Sequence, residues 1–393
     1  MLLSIALIVI SSLIISQIFN MLKLPRIIGM LITGIILGPF VLDLISPDIL
    51  QISTDLRQIA LIVILIRAGL SLDLEDLKKV GKSAVLLSFI PATIEMVAIT
   101  LFAPLLFNIS YLEAAILGSV IAAVSPAVVV PRMIELIKTG FGQDKKIPQM
   151  ILAGASIDDV YVIVIFTSLI QMYQGQGFSV ISFLLVPVAI ILGIILGVIS
   201  GVLLVKFFKK FHMRDTLKVL IIFSVGFLFI VLEQSIKSSF PISGLIAVMA
   251  LGVTILKTHD ILAKRLVSKF EKIWVIAEIM LFVLVGAAVD ITVMVHVGLL
   301  AVALIGISLI FRMIGVIIAL IKTPLVSKEK GYVGFSYLPK ATVQAAIGAI
   351  PLSLGIPSGQ LILTIAVLAI LVTAPLGAVL MDKTYSKFLN NNK

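Results

Sequence analysis

The apolar residues of this chain come in blocks of about 20, and this spacing constrains the fold more than any other feature of the sequence. A helix needs about 20 consecutive, mostly apolar residues to cross a hydrocarbon core of about 30 Å. Hydrophobic residues make up 61% and charged residues 13% of the 393-residue chain, whereas about a quarter of the residues of a soluble domain are charged. The sequence therefore predicts an all-α polytopic membrane protein and excludes a water-soluble globular domain.

Thirteen blocks of this kind predict thirteen transmembrane helices. The predicted spans are residues 2–19, 27–42, 56–72, 83–107, 112–137, 147–172, 178–207, 215–234, 240–256, 271–289, 292–321, 331–353 and 360–381. The loops between them are short, so we expect a single membrane domain over residues 1–393 and no extramembrane domain. The chain has no cysteine, which excludes disulfides and thiolate metal sites.

Basic residues are concentrated in the loops that follow odd-numbered spans. They are Lys23, Arg26, Lys78, Lys79, Lys82, Lys138, Lys145, Lys146, Lys206, Lys209, Lys210, Arg214, Lys257, Lys264, Arg265, Lys269, Lys272, Lys322, Lys328 and Lys330, with Lys383, Lys387 and Lys393 in the C-terminal tail. Arg57 and Lys237 are exceptions. By the positive-inside rule we predict a plasma-membrane protein with its N-terminus outside and its C-terminus in the cytoplasm. The net charge of +10 is then explained by cytoplasmic loops that face anionic membrane lipid, and it does not require a nucleic-acid partner.

Weak self-similarity between segments seven spans apart indicates an inverted repeat. Span 3 ends in residues 69–73 and span 10 in residues 286–290, each beginning with glycine and ending with aspartate, while Pro126 lies in span 5 and Pro339 in span 12. Because seven is odd, paired spans run in opposite directions, as in secondary transporters whose substrate sites lie at broken helices near the bilayer midplane. One such proline would indicate an ordinary kink. Two in corresponding spans favour a substrate site, where we expect the freed carbonyls to help coordinate a cation.

Six ionisable residues lie well inside predicted spans, where each costs at least about 2.5–3.5 kcal/mol on insertion scales and needs a partner or a function. They are Arg67, Glu95, Asp158, Asp159, Arg312 and Lys340. Counted from the cytoplasmic ends of their spans, Asp158 and Lys340 both lie roughly 14–17 Å deep, close to the midplane. Glu95 and Arg312 lie at similar depth, and we interpret them as a structural ion pair. For Arg67, near the cytoplasmic end of span 3, snorkelling to the surface and a role at the site are both open.

Adjacent residues on a helix point about 100° apart, so Asp158 and Asp159 cannot both face one small site squarely. We expect one carboxylate to pair with Lys340 and the other to face a water-filled cavity, where it exchanges a proton for a metal cation. Carboxylate oxygen is a hard ligand suited to sodium or lithium. One lysine cannot compensate two acids, which favours a functional interpretation of the aspartate pair.

At these residues the sequence resembles the cation/proton antiporter superfamily over nearly the whole chain, and most closely its branch of NHA-type sodium/proton antiporters. The resemblance is carried by four short segments in the same order, residues 65–73, 124–131, 155–159 and 338–346. It implies the sodium/proton antiporter fold, with inverted repeats and two crossed broken helices, and no cofactor.

The resemblance also implies a homodimer in which a core domain moves against a dimerisation domain in an elevator-like manner. The core corresponds approximately to residues 56–172 and 271–381, the dimerisation domain to residues 2–42 and 215–256, and the link to residues 178–207.

Residue by residue, the resemblance implies that Asp159 is the principal carboxylate for cation and proton, and that Asp158 pairs with Lys340. The residues that it implies as further oxygen ligands are Ser125 and Thr342, and those of the buried ion pair are Glu95 and Arg312. The stoichiometry stays open. Two protons are exchanged per sodium if Lys340 releases its proton, and one if Lys340 remains charged.

We therefore predict a secondary active transporter, and not an enzyme, that exchanges sodium or lithium for protons by alternating access. Its expected partners are a monovalent cation, the proton, membrane lipids and a second copy of the chain. A potassium/proton antiporter and a sodium-coupled organic-anion symporter are the alternatives. An intramembrane aspartyl protease is disfavoured, because neighbours on one helix cannot readily share a proton at roughly 3 Å.

Overall fold

The structure, a computed structural model, describes residues 1–71, 82–176, 180–236 and 242–391. Within these ranges the chain is helical, and the extended pairing is limited to an isolated bridge between Phe141 and Asn391. Residues of the sequence analysis that lie outside the described ranges are Asp73, Lys78, Lys79, Lys237 and Lys393.

Each predicted span coincides with a helix or with a group of consecutive helices. The described α-helices are α1 (Leu2–Met21), α2 (Arg26–Leu37), α3 (Pro47–Gln51), α4 (Ser53–Ser71), α5 (Lys82–Phe107), α6 (Tyr111–Ile121), α7 (Pro126–Thr139), α8 (Ile147–Gln171), α9 (Val180–Lys210), α10 (Asp215–Ile236), α11 (Gly244–Thr258), α12 (Asp260–Ala287), α13 (Ile291–Ala319), α14 (Ser327–Ser336), α15 (Thr342–Ile347), α16 (Ile350–Ser353) and α17 (Gly359–Phe388). A short π-helical turn, Met172–Gln176, continues α8. Eight candidate membrane spans of sufficient length and apolar character are found among the described residues, together with three shorter apolar helices. The protein is therefore a multi-pass membrane protein, while the count of thirteen crossings stays a prediction.

Predicted spans 5 and 12 are each interrupted by a non-helical segment. Residues 122–125 separate α6 from α7, and residues 337–341 separate α14 from α15. Pro126 begins α7, a position where a proline is tolerated because its missing N–H would have no helical partner. Pro339 lies inside the second interruption, where its ring and missing N–H disfavour continuation of the helix. The two prolines identified in the sequence therefore coincide with the two breaks.

The chain divides into two compact units. Unit 1 comprises residues 1–54, 74–169 and 281–393, and unit 2 comprises residues 55–73 and 170–280, as far as these are described. The expected division into a core domain and a dimerisation domain concerns their relative motion and stays a prediction.

In unit 1, close helix packing surrounds both interruptions. Helices α5 and α13 approach so closely that a Cβ atom at Gly315 would lie 2.6 Å from the Cα atom of Pro91. Helix α6 approaches α5 in the same way, because a Cβ atom at Gly118 would lie 2.9 Å from the carbonyl oxygen of Met96. Small residues allow this close backbone approach between membrane helices, where dispersion contacts hold helices together.

In unit 2, three glycines spaced four residues apart form the face of α9 that packs against α11. Gly193, Gly197 and Gly201 lie on one side of α9. A Cβ atom at Gly197 would lie 2.7 Å from Ala250 Cβ and 2.9 Å from the backbone nitrogen of Leu251. The absence of a side chain is therefore what allows α9 and α11 to touch.

This packing predicts different effects for the same substitution at two glycines. Alanine favours a helix interior over glycine by about 1 kcal/mol, and at Gly298 of α13 a Cβ atom would meet nothing within 4 Å. We expect Gly298→Ala to leave the thermal stability of the purified protein unchanged or slightly raised. Gly197→Ala, which overpacks the α9–α11 contact, should be less stable than Gly298→Ala by about 1–3 kcal/mol. Equal melting temperatures for the two variants would contradict the close contact.

Candidate ion-binding site

The two helix interruptions lie against each other in unit 1. The backbone N–H of Ser125 donates to the carbonyl oxygen of Pro339 at 2.8 Å, which joins the first interruption to the second. The second is also held by α17, because the backbone N–H of Lys340 donates to Thr373 Oγ1 at 2.9 Å. Unpaired backbone groups in an apolar environment cost several kcal/mol each, so these bonds stabilise irregular backbone inside the protein.

Helix α8 brings the aspartate pair to the first interruption. Asp158 is fully buried, and its Oδ2 atom accepts from the backbone N–H of Val124 at 2.7 Å and from Arg312 Nη2 at 3.2 Å. The N–H of Val124 precedes α7, at the positive end of the helix dipole, which favours a carboxylate there. Asp158 Oδ1 has no hydrogen-bond partner among the described residues.

Arg312 connects four parts of unit 1 from a fully buried position on α13. Its Nη1 atom donates to Glu95 Oε2 of α5 at 2.6 Å and also to the carbonyl oxygen of Ala122, while Nη2 contacts Asp158. Its Nε atom donates to the carbonyl oxygen of Tyr337 at 2.6 Å. The planar, five-donor guanidinium can serve several acceptors at once, which a lysine ammonium on the same stem could not do in this geometry.

Lys340 has a different ion-pair partner from the one expected. Its Nζ atom contacts Glu95 Oε2 at 2.7 Å and the carbonyl oxygen of Ala122 at 3.4 Å, whereas the predicted partner, Asp158, is bound by Arg312. The donors that reach Asp158 Oδ2 are an arginine and a backbone N–H. Glu95 is therefore shared by both buried cations, and neither aspartate receives a hydrogen bond from the lysine.

The carbonyls at the end of α6 are also taken by side chains. Gln344 Nε2 donates to the carbonyl oxygens of Ile121 and Ala123 at 3.1 and 2.9 Å, and Ala122 is bound by the two cations. The C-terminal end of a helix carries partial negative charge and unsatisfied carbonyls, which attract such donors. These three carbonyls are therefore each engaged by an amide or cationic group of the protein, and the expectation that carbonyls freed at the interruption coordinate the cation stays a prediction.

The charges of this cluster leave one carboxylate uncompensated. Three carboxylates, Glu95, Asp158 and Asp159, stand against the two cations Arg312 and Lys340. Both cations are bound to Glu95 or Asp158, and Asp159 has no ion pair within the part of the chain that the structure describes. Asp159 is also only partly buried, whereas the other four side chains are fully buried.

Among the buried oxygen atoms around the interruptions that lack a hydrogen-bond partner within the described residues, four belong to the predicted cation ligands. They are Asp158 Oδ1, Asp159 Oδ1, Ser125 Oγ and Thr342 Oγ1. The Val124–Asp158 and Ser125–Pro339 bonds hold the corresponding segments next to one another. Carboxylate and hydroxyl oxygens are ligands for hard cations, so the donor set fits a transported alkali ion. Over the same described ranges, no cluster of three or more His, Asp or Glu side chains suits a resident metal ion.

Arg67 belongs to unit 2, whereas the cluster lies in unit 1. The Nη2 atom of Arg67 lies 3.8 Å from Glu271 Oε1, and both side chains are partly or well exposed. Sequence reasoning assigned no role to Gln344, Tyr337 or Thr373, which all contact the cluster. Gln344 could have been noticed as an amide in an apolar helix directly after an interruption, whereas no sequence signal distinguished Tyr337 and Thr373.

Comparison with known proteins gives consistent matches over nearly the whole chain. The family model described as "Sodium/hydrogen exchanger, transmembrane" matches residues 5–382. The chain is 33% identical over 379 residues to sodium/hydrogen exchanger 9B2 of Homo sapiens, covering 91% of this chain and 68% of the relative. It is 31% identical over 386 residues to human sodium/hydrogen exchanger 9B1, covering 94% and 73%.

A solved structure has the same fold. The sodium proton antiporter MjNhaP1 from Methanocaldococcus jannaschii at pH 8 superposes with a TM-score of 0.85 and 22% sequence identity, covering 98% of this chain and 97% of that one. The expected antiporter fold, an all-α membrane protein, is thereby confirmed.

The shared use of Glu95 predicts a large effect on stability. Removing one partner of a buried ion pair costs about 3–5 kcal/mol because an uncompensated charge remains buried. We expect Glu95→Gln, which leaves Arg312 and Lys340 without their common carboxylate, to lower the free energy of unfolding by about that amount. Thermal unfolding of the purified protein in detergent measures the effect.

Two further variants control this experiment. Lys340→Met in the Glu95→Gln background removes one of the two orphaned cations and should recover part of the lost stability. Asp260→Asn breaks the exposed pair with Lys264 and should change stability little. Wild-type stability in Glu95→Gln would contradict the buried network.

Proposed function

The chain belongs to the sodium/hydrogen exchanger family, and we propose that the cluster around Asp159 is where it exchanges a sodium ion for a proton. It is a membrane antiporter and not an enzyme. The proposal for the site is carried by the charge balance, in which three carboxylates face two cations and the residual negative charge falls on the partly exposed Asp159.

One residual charge explains exchange in simple terms. A carboxylate in an apolar environment is stabilised when it binds a cation or a proton, and it is costly when left bare. Sodium and a proton compete for the oxygens of Asp159, so binding of one displaces the other. In the sodium-loaded form, Asp158 Oδ1, Ser125 Oγ and Thr342 Oγ1 are proposed as further ligands, since these atoms have no partner among the described residues.

Alternating access then moves this site between the two sides of the membrane. We propose that the chain acts as a homodimer in the plasma membrane, with its N-terminus outside and its C-terminus in the cytoplasm. The proposed moving core is residues 56–172 and 271–381, and the dimerisation domain is residues 2–42 and 215–256. We also propose that the protein contacts membrane lipids and that lithium can replace sodium as the transported cation. Potassium/proton exchange and organic-anion symport are not favoured by family membership.

The contacts of Lys340 support a stoichiometry of one sodium per proton. Lys340 donates to Glu95, which is not among the proposed cation ligands. A cation that binds at Asp159 therefore leaves the Lys340–Glu95 ion pair intact, and Lys340 keeps its proton during the exchange. Exchange through Asp159 alone moves one positive charge in each direction and is electroneutral.

Asp159→Asn tests the site. The amide has almost the same shape but neither the charge nor the titratable proton, so we expect sodium/proton exchange to fall to the level of empty liposomes. The measurement is a pH-sensitive dye in proteoliposomes after addition of sodium, lithium or potassium. Ser125→Ala removes one neutral ligand and should raise the KM for sodium about fivefold. Asp260→Asn should exchange like the wild type, and wild-type exchange in Asp159→Asn would overturn the site.

The stoichiometry predicts that exchange does not respond to membrane voltage. In proteoliposomes with a potassium diffusion potential set by valinomycin, we expect the sodium gradient that exactly balances a given pH gradient to be the same at every voltage. A balance point that moves with voltage would contradict one-for-one exchange. It would leave the assignment of Asp159 intact, because that assignment depends on the loss of transport in Asp159→Asn.

A further inference from the structure

The Tyr337 hydroxyl is buried next to the site and has no role in the cluster described so far. Tyr337 is fully buried in the second interruption, and its hydroxyl has no hydrogen-bond partner among the described residues. Burying a hydroxyl without a partner is unfavourable, and a phenylalanine would fill the same space without that penalty. The unpaired hydroxyl therefore points to a partner outside the described protein atoms.

The ring of Tyr337 is held by Arg312, and this fixes where the hydroxyl lies. The guanidinium carbon lies 5.4 Å from the ring centroid, and Arg312 Nε donates to the carbonyl oxygen of Tyr337 at 2.6 Å. At the other end of the ring, the hydroxyl lies against Gly154 of α8, where the Cβ atom of any other residue would overlap it. The hydroxyl thus reaches the backbone of the helix that carries both aspartates.

Gly154 and Asp158 lie on the same face of α8, one turn apart. A helical side chain leans toward the preceding turn, so the Asp158 carboxylate extends toward the turn that the Tyr337 hydroxyl touches. The two Asp158 oxygens differ, because Val124 and Arg312 both donate to Oδ2, whereas Oδ1 has no partner among described residues. A donor without an acceptor and an acceptor without a donor therefore flank one turn of α8.

We propose that Tyr337 is a positioning residue of the exchange site, whose hydroxyl donates a hydrogen bond to one water molecule that in turn donates to Asp158 Oδ1 whenever no cation occupies the site. This inference rests on the proposed function, in which Oδ1 is a sodium ligand. Sodium and the water bound to the Tyr337 hydroxyl then compete for the same oxygen atom. The bound water stabilises the empty and the proton-loaded site equally, and it must be displaced before sodium can bind.

Because of this competition, we expect Tyr337→Phe to strengthen sodium binding, whereas most substitutions near a binding site weaken it. Loss of the hydroxyl removes one hydrogen bond from the sodium-free forms and nothing from the sodium-loaded form. We expect the KM for sodium to fall about threefold to tenfold, and by the same factor across pH 6.5 to 8.5. Damage to the fold would instead weaken sodium binding or lower the maximal rate. The measurement is initial exchange rates in proteoliposomes against sodium concentration.

Tyr332→Phe is the matched control, since Tyr332 is equally buried and belongs to the same broken helix, within α14. It should leave the KM for sodium unchanged. An unchanged or raised KM in Tyr337→Phe would overturn the proposal, as would a fall of the same size in Tyr332→Phe. If Asp159→Asn abolishes exchange while Tyr337→Phe leaves the KM unchanged, the role of Tyr337 fails and the ion site stands. If Asp159→Asn exchanges normally, the site itself fails.

A second pair of variants tests the placement of the hydroxyl independently of transport. Gly154→Ala should lower thermal stability, because the new methyl group collides with the Tyr337 hydroxyl. Adding Tyr337→Phe removes the colliding atom, after which the nearest atoms to the methyl are Leu87 Cβ at 3.2 Å and Tyr337 Cζ at 3.4 Å. The double variant should therefore be more stable than Gly154→Ala alone. Failure of this rescue would show that the hydroxyl is not where the proposal requires it.

Discussion

The arrangement of unit 1 depends on the contacts of one guanidinium group. Arg312 binds Glu95 on α5, Asp158 on α8 and carbonyl oxygens from both helix interruptions. An isolated charge at this depth would be expelled or neutralised. The five donors of Arg312 instead make it the centre of a network in which irregular backbone, two acids and a second cation satisfy one another. The interruptions can persist inside the protein because this group connects them.

The inverted repeat is visible in contacts that lie well away from this network. Glu113 caps the start of α6, where its Oε2 atom accepts from the Ser110 backbone at 3.0 Å, and Oε1 accepts from the N–H of Ser358, which precedes α17. Glu329 caps the start of α14 in the same way and binds Lys145, which precedes α8. The start of each broken helix therefore contacts the residues that precede the helix after the other broken helix: the start of α6 contacts the start of α17, and the start of α14 contacts the segment before α8. One end uses a backbone N–H, and the other uses an ion pair.

Much of the fold could be predicted from the sequence, because its main determinants are local. Blocks of about 20 apolar residues fix where helices can cross a bilayer. Pro126 and Pro339 coincide with the interruptions, and their occurrence in corresponding spans is what indicated the breaks, because other prolines of the chain, such as Pro91 and Pro375, lie inside continuous helices. The partner of Lys340 could not be predicted in this way. Depth along the membrane normal allows pairing with any acid near the midplane, and the choice of Glu95 over Asp158 depends on how α5, α8 and α13 are packed. The same holds for Gln344, whose two acceptors lie on a segment more than 200 residues away.

The capping of the α6 carbonyls by Gln344, Arg312 and Lys340 has a consequence for how ion preference can evolve. A cation held by main-chain oxygens is selected by backbone geometry, which a substitution changes less directly than it changes a side-chain ligand. Here those oxygens are already engaged, and the ligands of the proposed site are carboxylates and hydroxyls, each of which a single substitution can exchange. Relatives with a different cation preference could then arise from this framework through a few point mutations, without rebuilding the crossed segments.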